Sequence, residues 1–278
     1  LSIIIVDLQQ VMISNIMVQM GLSGGTVEVP MFKHMVLNSL RSYKSKFGQK
    51  YGELVIATDT GASWRKSQFP YYKANRKKDR DESKLDWEGI FKGLDEIKSE
   101  LDEFFPYRII RVEGAEADDI IGALCHEFGR DLPGGEQILI LSGDKDFKQL
   151  QTYINVDQYD PVRSKKLVEN DPDAYLVEHI IKGDKGDGIP NILSADNCLV
   201  LGVRQGTMTS KRLESFKEQS KNGWTDQEAY RNWMRNKSLI DLKCAPNALW
   251  EEIFQSYDAQ AGKSRDKIFN YLVANRMK

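Results

Sequence analysis

Nine acidic residues stand where chemistry is a better explanation than solubility: Asp7, Asp59, Glu116, Asp118, Asp119, Asp144, Asp146, Asp184 and Asp187. Asp7, Asp59 and Asp144 follow apolar runs immediately or within three residues, and Glu116, Asp118 and Asp119 open a segment of helical period. Any one of them alone reads as an N-cap, a turn residue or a solvated charge. The ordered series is what carries weight. A carboxylate buried without a partner costs several kcal/mol or takes up a proton, so a set of this size gathered in one cleft calls for cations. Oxygen ligands without a Cys or His cluster select a hard ion, Mg²⁺, with Mn²⁺ as its substitute. Two such ions about 4 Å apart could activate a water and stabilise the leaving oxygen of a phosphodiester. Hydrolysis is the expected reaction class.

Other catalytic chemistries are thinly supplied. His34, His126 and His179 lie in helix-like segments beside apolar residues and read as structural, which disfavours a Ser/His or Cys/His nucleophile. Cys125, Cys198 and Cys244 are far apart with no CxxC pair, so neither a disulfide framework nor a zinc site is expected, and a reducing, cytoplasmic setting fits. The basic stretch from Arg65 to Lys84 is more informative. Its eight cations (Arg65, Lys66, Lys73, Arg76, Lys77, Lys78, Arg80, Lys84) face three acids, with Phe69, Tyr71 and Tyr72 interleaved. Cations there would neutralise phosphates, and aromatic faces could stack unpaired bases at about 1–3 kcal/mol each. Trp64 and Trp87 are placed to anchor the two ends of this segment.

The elements that must position these residues follow from hydrophobic pattern. Runs at 2–6, 54–58, 137–141 and 108–112 read as buried strands, with a short hairpin at 156–159 and 166–168. Helical period at 31–47 and Ala117–Phe128 between the strands implies a central, mostly parallel α/β sheet with helices on both faces. Ligands of such sheets lie beyond the carboxyl ends of the strands, so the aspartates there share a cleft. Beyond about residue 174 the strand signal fades into helical patterns at 209–220, 225–238, 246–257 and 265–276. An acidic α/β part at 1–189 and a smaller, basic helical part at 190–278 are expected. Charge supports the division: 25 Lys and Arg against 31 Asp and Glu in the first part, 14 against 10 in the second. The chain of 278 residues, 41% hydrophobic and 29% charged, has the composition of a folded globular protein. Its first apolar run, Ile3 to Val6, is closed by Asp7, and no membrane span or signal peptide is expected.

Seven blocks, in this order, resemble the flap endonuclease (5′ nuclease) family, its bacteriophage branch in particular. They are IIIVDLQQ around Asp7, VIATD ending at Asp59, FPYYKANR at 69–76, SKLDWEGIF at 83–91, GAEADDIIGAL at 114–124, LSGDKDFKQL at 141–150 and KGDKGDGIP at 182–190. The resemblance implies a two-metal 5′-to-3′ exonuclease and flap endonuclease that removes RNA primers in lagging-strand replication, acting on DNA or RNA/DNA with a 5′ end or flap. It implies Asp7, Asp59, Glu116, Asp118 and Asp144 at one ion, Asp146, Asp184 and Asp187 at the other, and Asp119 as a further acid. Lys73 and Arg76 match the pair that contacts the scissile phosphate, with Asp118 essential, and Tyr72 stands where an aromatic stacks on the displaced base. Residues 65–92 match a mobile arch over the site. Gly183, Lys185, Gly186 and Gly188 match the first turn of a helix–hairpin–helix-like motif whose backbone N–H groups hold phosphate, often with K⁺. After IP the chain departs from the usual second glycine turn and reads NILSADNCLVLG, which weighs against a K⁺ site. A monomer in the host cytoplasm, with a single-strand-binding protein and a sliding clamp as partners, completes what the resemblance implies. Two rivals remain: a PIN-type single-strand ribonuclease and a non-catalytic DNA-binding replisome component.

Overall fold

A computed structural model describes residues 2–23, 28–76, 80, 82, 86–130 and 136–275. Lys77, Lys78 and Lys84 lie outside them.

Strands β1 (Ile3–Asp7), β2 (Glu53–Ala57), β3 (Arg108–Ile110), β4 (Ile138–Leu141), β5 (Val156–Asp160) and β6 (Lys165–Leu167) form one sheet in the order β3-β2-β1-β4-β5-β6. Neighbours are parallel from β3 to β5, and β6 returns antiparallel to β5. The central strands read IIIVD, ELVIA and ILIL because both of their faces are covered. Alternate residues part to two cores. Ile3, Ile5, Val55, Ala57, Ile138 and Ile140 face α5 (Ala117–Phe128), while Ile4, Val6, Leu54, Ile56, Leu139 and Leu141 face α1 (Leu8–Ser23), α2 (Val29–Tyr51) and α4 (Trp87–Phe104).

The segment expected to be a mobile arch is tied down at both ends. Trp64–Gln68 forms a short helix, α3, and residues 70–74 form turns. Asp86 caps α4 by accepting from the N–H of Gly89, and Ile90 is buried in the core. The middle of the segment, including 77–79 and 83–85, lies outside the described residues.

Helices α6 (Pro172–Lys182), α7 (Ser210–Asn222) and α8 (Gln227–Ile240) enclose two small cores, around Ile180, Ile189 and Leu239 and around Ile181, Ile192 and Phe216. The chain then returns to the sheet. Leu249, Ile253 and Tyr257 of α9 (Asn247–Ala259) join one sheet core, and Tyr271 of α10 (Asp266–Ala274) joins the other. The compositional division at residue 189 is therefore not a division of packing, because amphipathic helices look alike in sequence whichever core they cover.

Candidate active site

Three strand ends and one helix start build the acidic cleft. β1 delivers Asp7, whose carboxylate accepts from the N–H of Gln10 at 3.1 Å and from the Ser142 hydroxyl at 3.0 Å. Ser142 and Asp144 follow β4, the strand beside β1, where the sheet order reverses and the strand ends leave a crevice. Asp59, past β2, accepts from the N–H of Ala117 at 2.5 Å. Glu116 caps α5 in a reciprocal capping box with Asp119, and Asp118 lies in the first turn, where the helix dipole favours anions. Asp7, Asp59, Glu116, Asp118 and Asp144 thus line one cavity of about 330 Å³, together with Gln9, Gln10, Lys73 and Arg76.

The electrostatics match a site made for cations. Burial pushes the Asp7 carboxyl up to about 6 despite its two hydrogen bonds, with the charges of Asp59 and Asp144 adding to the rise. Burial also raises Asp59 and, well above the usual carboxylate range, Asp118, where Asp144, Glu116 and Asp7 add repulsion that Lys73 only partly relieves. Asp146 rises to about 7 through burial and the nearby Asp144. Glu116 is held low, because Lys73 and Arg65 outweigh its burial. These acids are costly as anions until positive charge joins them, and the buried Oδ1 of Asp146 has no hydrogen-bond partner. The donor set, oxygen-rich and partly unsatisfied, fits divalent ions.

A second group adjoins the first through Asp144, whose Oδ1 accepts from the N–H of Asp146. One ligand atom each from Asp146, His179 and Asp184 lies within 4.8 Å of the others. Burial would raise Asp184, but hydrogen bonds from His179 and Lys145 hold it below the usual range. Asp187 sits toward the cations, accepting from Arg76 at 2.7 Å and from the Tyr72 hydroxyl at 3.1 Å.

Lys73 is the centre of the cationic side. Its Nζ donates to Glu116 Oε1 at 2.6 Å and lies 3.6 Å from Asp187 Oδ2. Its backbone is left-handed, φ 54°, and its N–H donates to the carbonyl of Asp187 at 2.8 Å. A non-glycine residue in that region is strained and persists where the surroundings over-determine it. Gly188 explains the close approach: a Cβ there would meet the carbonyl of Tyr71 at 2.7 Å. Lys66, Lys73, Arg76, Arg80 and Lys98 line a second cavity of about 340 Å³ that shares Gln9, Asp59 and Glu116 with the first, so the basic track opens into the acidic cleft.

Several expected roles change. Asp119 is fully buried, and Arg65, only 2% exposed, holds its carboxylate through two nitrogens, 2.9 Å and 2.8 Å, while also reaching Glu116 Oε2 and the carbonyl of Leu239. Asp119 is therefore an ion-pair partner and capping residue rather than a metal ligand, and Arg65 is a strut rather than a nucleic-acid contact. Arg65→Ala would strand the Asp119 charge, and we expect unfolding stability to fall by about 3–5 kcal/mol in urea titrations. A loss under about 1 kcal/mol would contradict the strut. Tyr72, 3% exposed, gives its hydroxyl to Glu116 and offers no face to a base. Gly183, Gly186 and Gly188 do not present free amides: these donate to the His179 carbonyl, Asp184 Oδ1 and the Lys185 carbonyl. They shape the turn, and exposed Lys185 is left to meet solvent or phosphate.

Sequence reasoning missed His179, Ser142, Gln10 and Lys98. Gln10 receives the N–H of Gly143 at 2.6 Å and so ties α1 to the β4 loop. His179 resembled any histidine on an apolar helix face. His126 is structural as expected, stacked on Trp250 and bonded to the Tyr153 hydroxyl.

Comparison with known proteins agrees with this architecture. Residues 15–178 match the family model for the 5′-3′ exonuclease N-terminal resolvase-like domain, and residues 171–278 match that for the T4 RNase H C-terminal domain. Ribonuclease H of Enterobacteria phage T4 is 31% identical over 98% of this chain and 91% of its own length. Among solved structures, zinc-bound T5 5′-exonuclease aligns over 94% of this chain and 98% of its own, with TM-score 0.64 at 14% identity. A variant of the bacteriophage T5 flap endonuclease in a pseudo-enzyme–product complex with DNA and metal ions covers 98% of both chains, with TM-score 0.61 at 16% identity. At such identities the solved structures establish the shared fold, and the sequence matches establish the kinship: this chain belongs to the 5′-3′ exonuclease family and carries the C-terminal domain of its T4 RNase H branch.

Proposed function

We propose that this chain is a divalent-metal-dependent 5′ nuclease that hydrolyses phosphodiesters near the 5′ ends and flaps of DNA and RNA/DNA duplexes, with primer removal during lagging-strand replication as its task. The observation that carries the reading is the cavity shared by Asp7, Asp59, Glu116, Asp118 and Asp144 with Lys73 and Arg76 on its rim. Kinship with a ribonuclease H and fold likeness to flap endonucleases support the substrate class.

Divalent ions, Mg²⁺ in the cell, would activate a water and neutralise the leaving oxygen when held by these carboxylates. Everything else falls to the chain. Lys73 and Arg76 now pair with Glu116 and Asp187, and a scissile phosphate competes with those acids for the same cations. Tyr72 and Arg65 fix Glu116 Oε2, so that Oε1 stays turned toward Lys73. Lys66, Arg80 and Lys98, with the walls of the second cavity, guide the 5′ strand inward. Lys185 and the 190–240 helices are proposed to hold the duplex. A monomer in a phage-infected cytoplasm, working with a single-strand-binding protein and a sliding clamp, is consistent with this task; nothing in it requires K⁺.

A 5′-labelled flap substrate and a single-stranded RNA of equal length, each with and without Mg²⁺, separate this reading from a PIN-type ribonuclease. Short 5′ products from the flap in Mg²⁺, with RNA cut at least tenfold more slowly, are expected. Preferential cutting of the RNA, or no metal-dependent cutting of either, would overturn it.

A further inference from the structure

The second acidic group is not an all-oxygen site. Both oxygens of Asp184 are already engaged: Oδ1 accepts from the N–H of Gly186 at 2.8 Å and of Asp187 at 3.3 Å, and Oδ2 faces Lys145 Nζ at 2.9 Å and His179 Nε2 at 3.3 Å. A carboxylate only accepts, so Nε2 carries a hydrogen, and the ring in the neutral form that ligates metals then offers its lone pair at Nδ1. That nitrogen is buried and has no hydrogen-bond partner. Asp146 Oδ1, also buried and without a partner, lies 3.6 Å from it. In that form two unsatisfied lone pairs face each other away from water, which is costly, and the gap is longer than a hydrogen bond. It suits two ligands of one cation, each with a bond of about 2.0–2.2 Å meeting at an angle.

Building on the nuclease reading above, we propose that His179 Nδ1 and Asp146 Oδ1 ligate one divalent ion directly, that Asp184 acts through the His179 ring it orients, and that this site takes Mn²⁺, Co²⁺ or Zn²⁺ in preference to Mg²⁺. The ring is held for the task. His179 is 7% exposed, on α6, and packs edge-on against Tyr175 with centroids 5.7 Å apart. A carboxylate behind a histidine ligand fixes its tautomer and raises its basicity. Imidazole favours later first-row ions, which gain more from nitrogen than Mg²⁺ does, whereas Mg²⁺ keeps to oxygen and water. The five-carboxylate cavity beside it has no such nitrogen donor among its lining residues. The two ion sites are therefore chemically distinct, one hard and one borderline.

The test measures ion binding by the full chain with no nucleic acid present. Mn²⁺ is titrated by its electron paramagnetic resonance signal, and Mg²⁺ by competition. One class of site should bind Mn²⁺ at least tenfold more tightly than Mg²⁺. His179→Asn should weaken Mn²⁺ at that site tenfold or more while Mg²⁺ changes less than threefold, and His179→Asp should abolish the Mn²⁺ preference. In the wild-type protein, substoichiometric Mn²⁺ should broaden the His179 ring resonances in nuclear magnetic resonance spectra, a readout that needs no variant to fold. Unbroadened His179 resonances, or parallel losses of Mn²⁺ and Mg²⁺ in His179→Asn, would overturn the proposal. Because no substrate is present, a failure to cut flap DNA would count against the nuclease reading and leave this one standing.

Discussion

Asp118→Asn is expected to lower metal-dependent flap cleavage by about a thousandfold or more, roughly 4 kcal/mol of transition-state stabilisation, without unfolding the protein. The substitution keeps shape and hydrogen-bonding capacity and removes one charge. Asp118 is where that charge is hardest to replace: it stands in the first turn of α5, inside the cavity, with Asp144, Glu116 and Asp7 around it. The same surroundings fix the sign of the stability effect. Its carboxyl is raised in the folded chain, so the folded state binds the proton more tightly than the unfolded one. Stability from this group is present at low pH and is lost as pH rises through the raised value. The neutral asparagine escapes that loss. The metal-free variant should melt at or above the wild-type temperature near neutral pH, while the stabilisation gained on adding Mg²⁺ shrinks. Wild-type cleavage rates in Mg²⁺, or a variant that simply unfolds, would remove Asp118 from the centre of the site.

The parts of the fold that rest on short-range pattern were legible in the sequence. β1, β2 and β4 announce themselves as apolar runs because they are covered on both faces, and the observed bounds differ from the pattern by about a residue. Ala117–Phe128 is helical over the expected span, since its apolar residues repeat on one side and its first turn carries a capping box. α1 was harder. Leu8–Ser23 is apolar on most sides and carries no charge, so no helical stripe stands out against a polar background, and it starts directly after β1 without a turn. Destination was not legible either. Nothing in the period of α9 or α10 says that they return to the two faces of the sheet.

The site divides along the same line. Carboxylates at strand ends could be placed because strand direction alone decides which edge they reach. Partners that depend on burial could not. Arg65 looked like one more cation in a basic run, yet its guanidinium closes a buried pair with Asp119 and reaches the far carbonyl of Leu239, a contact between residues 174 positions apart. Tyr72 beside it reads as a stacking aromatic until its hydroxyl is seen on Glu116 and Asp187. The glycines of KGDKGDGIP stand out in the sequence as a phosphate-holding turn; what the fold adds is the positive φ of Gly183 and Gly188 and the close packing that leaves no room for a Cβ there. His179 is the clearest case: its helix conceals it, and only the fold brings Asp146 to its unpartnered nitrogen.

Lys73→Ala tests whether the cationic rim serves chemistry or affinity. The cleavage rate at saturating substrate should fall by about a hundredfold, in line with the loss of one preorganised donor to developing charge, while duplex affinity falls less than threefold. Position is the reason for the asymmetry. The Lys73 ammonium is largely buried between Glu116 and Asp187 and lies 4.8 Å from the centre of the Tyr72 ring, so it cannot range over the surface as exposed Lys66 and Lys185 can. Its strained backbone is pinned to the carbonyl of Asp187. A flexible phosphate anchor has no need of such a constraint, whereas a donor that must meet one oxygen at one moment does. Removing it should leave the fold intact, because Glu116 Oε2 keeps Arg65 and Tyr72. Single-turnover rates and filter binding on the same flap separate the two effects. Equal losses in rate and binding would make Lys73 a phosphate anchor, and an unchanged rate would move the transition-state role to Arg76 alone.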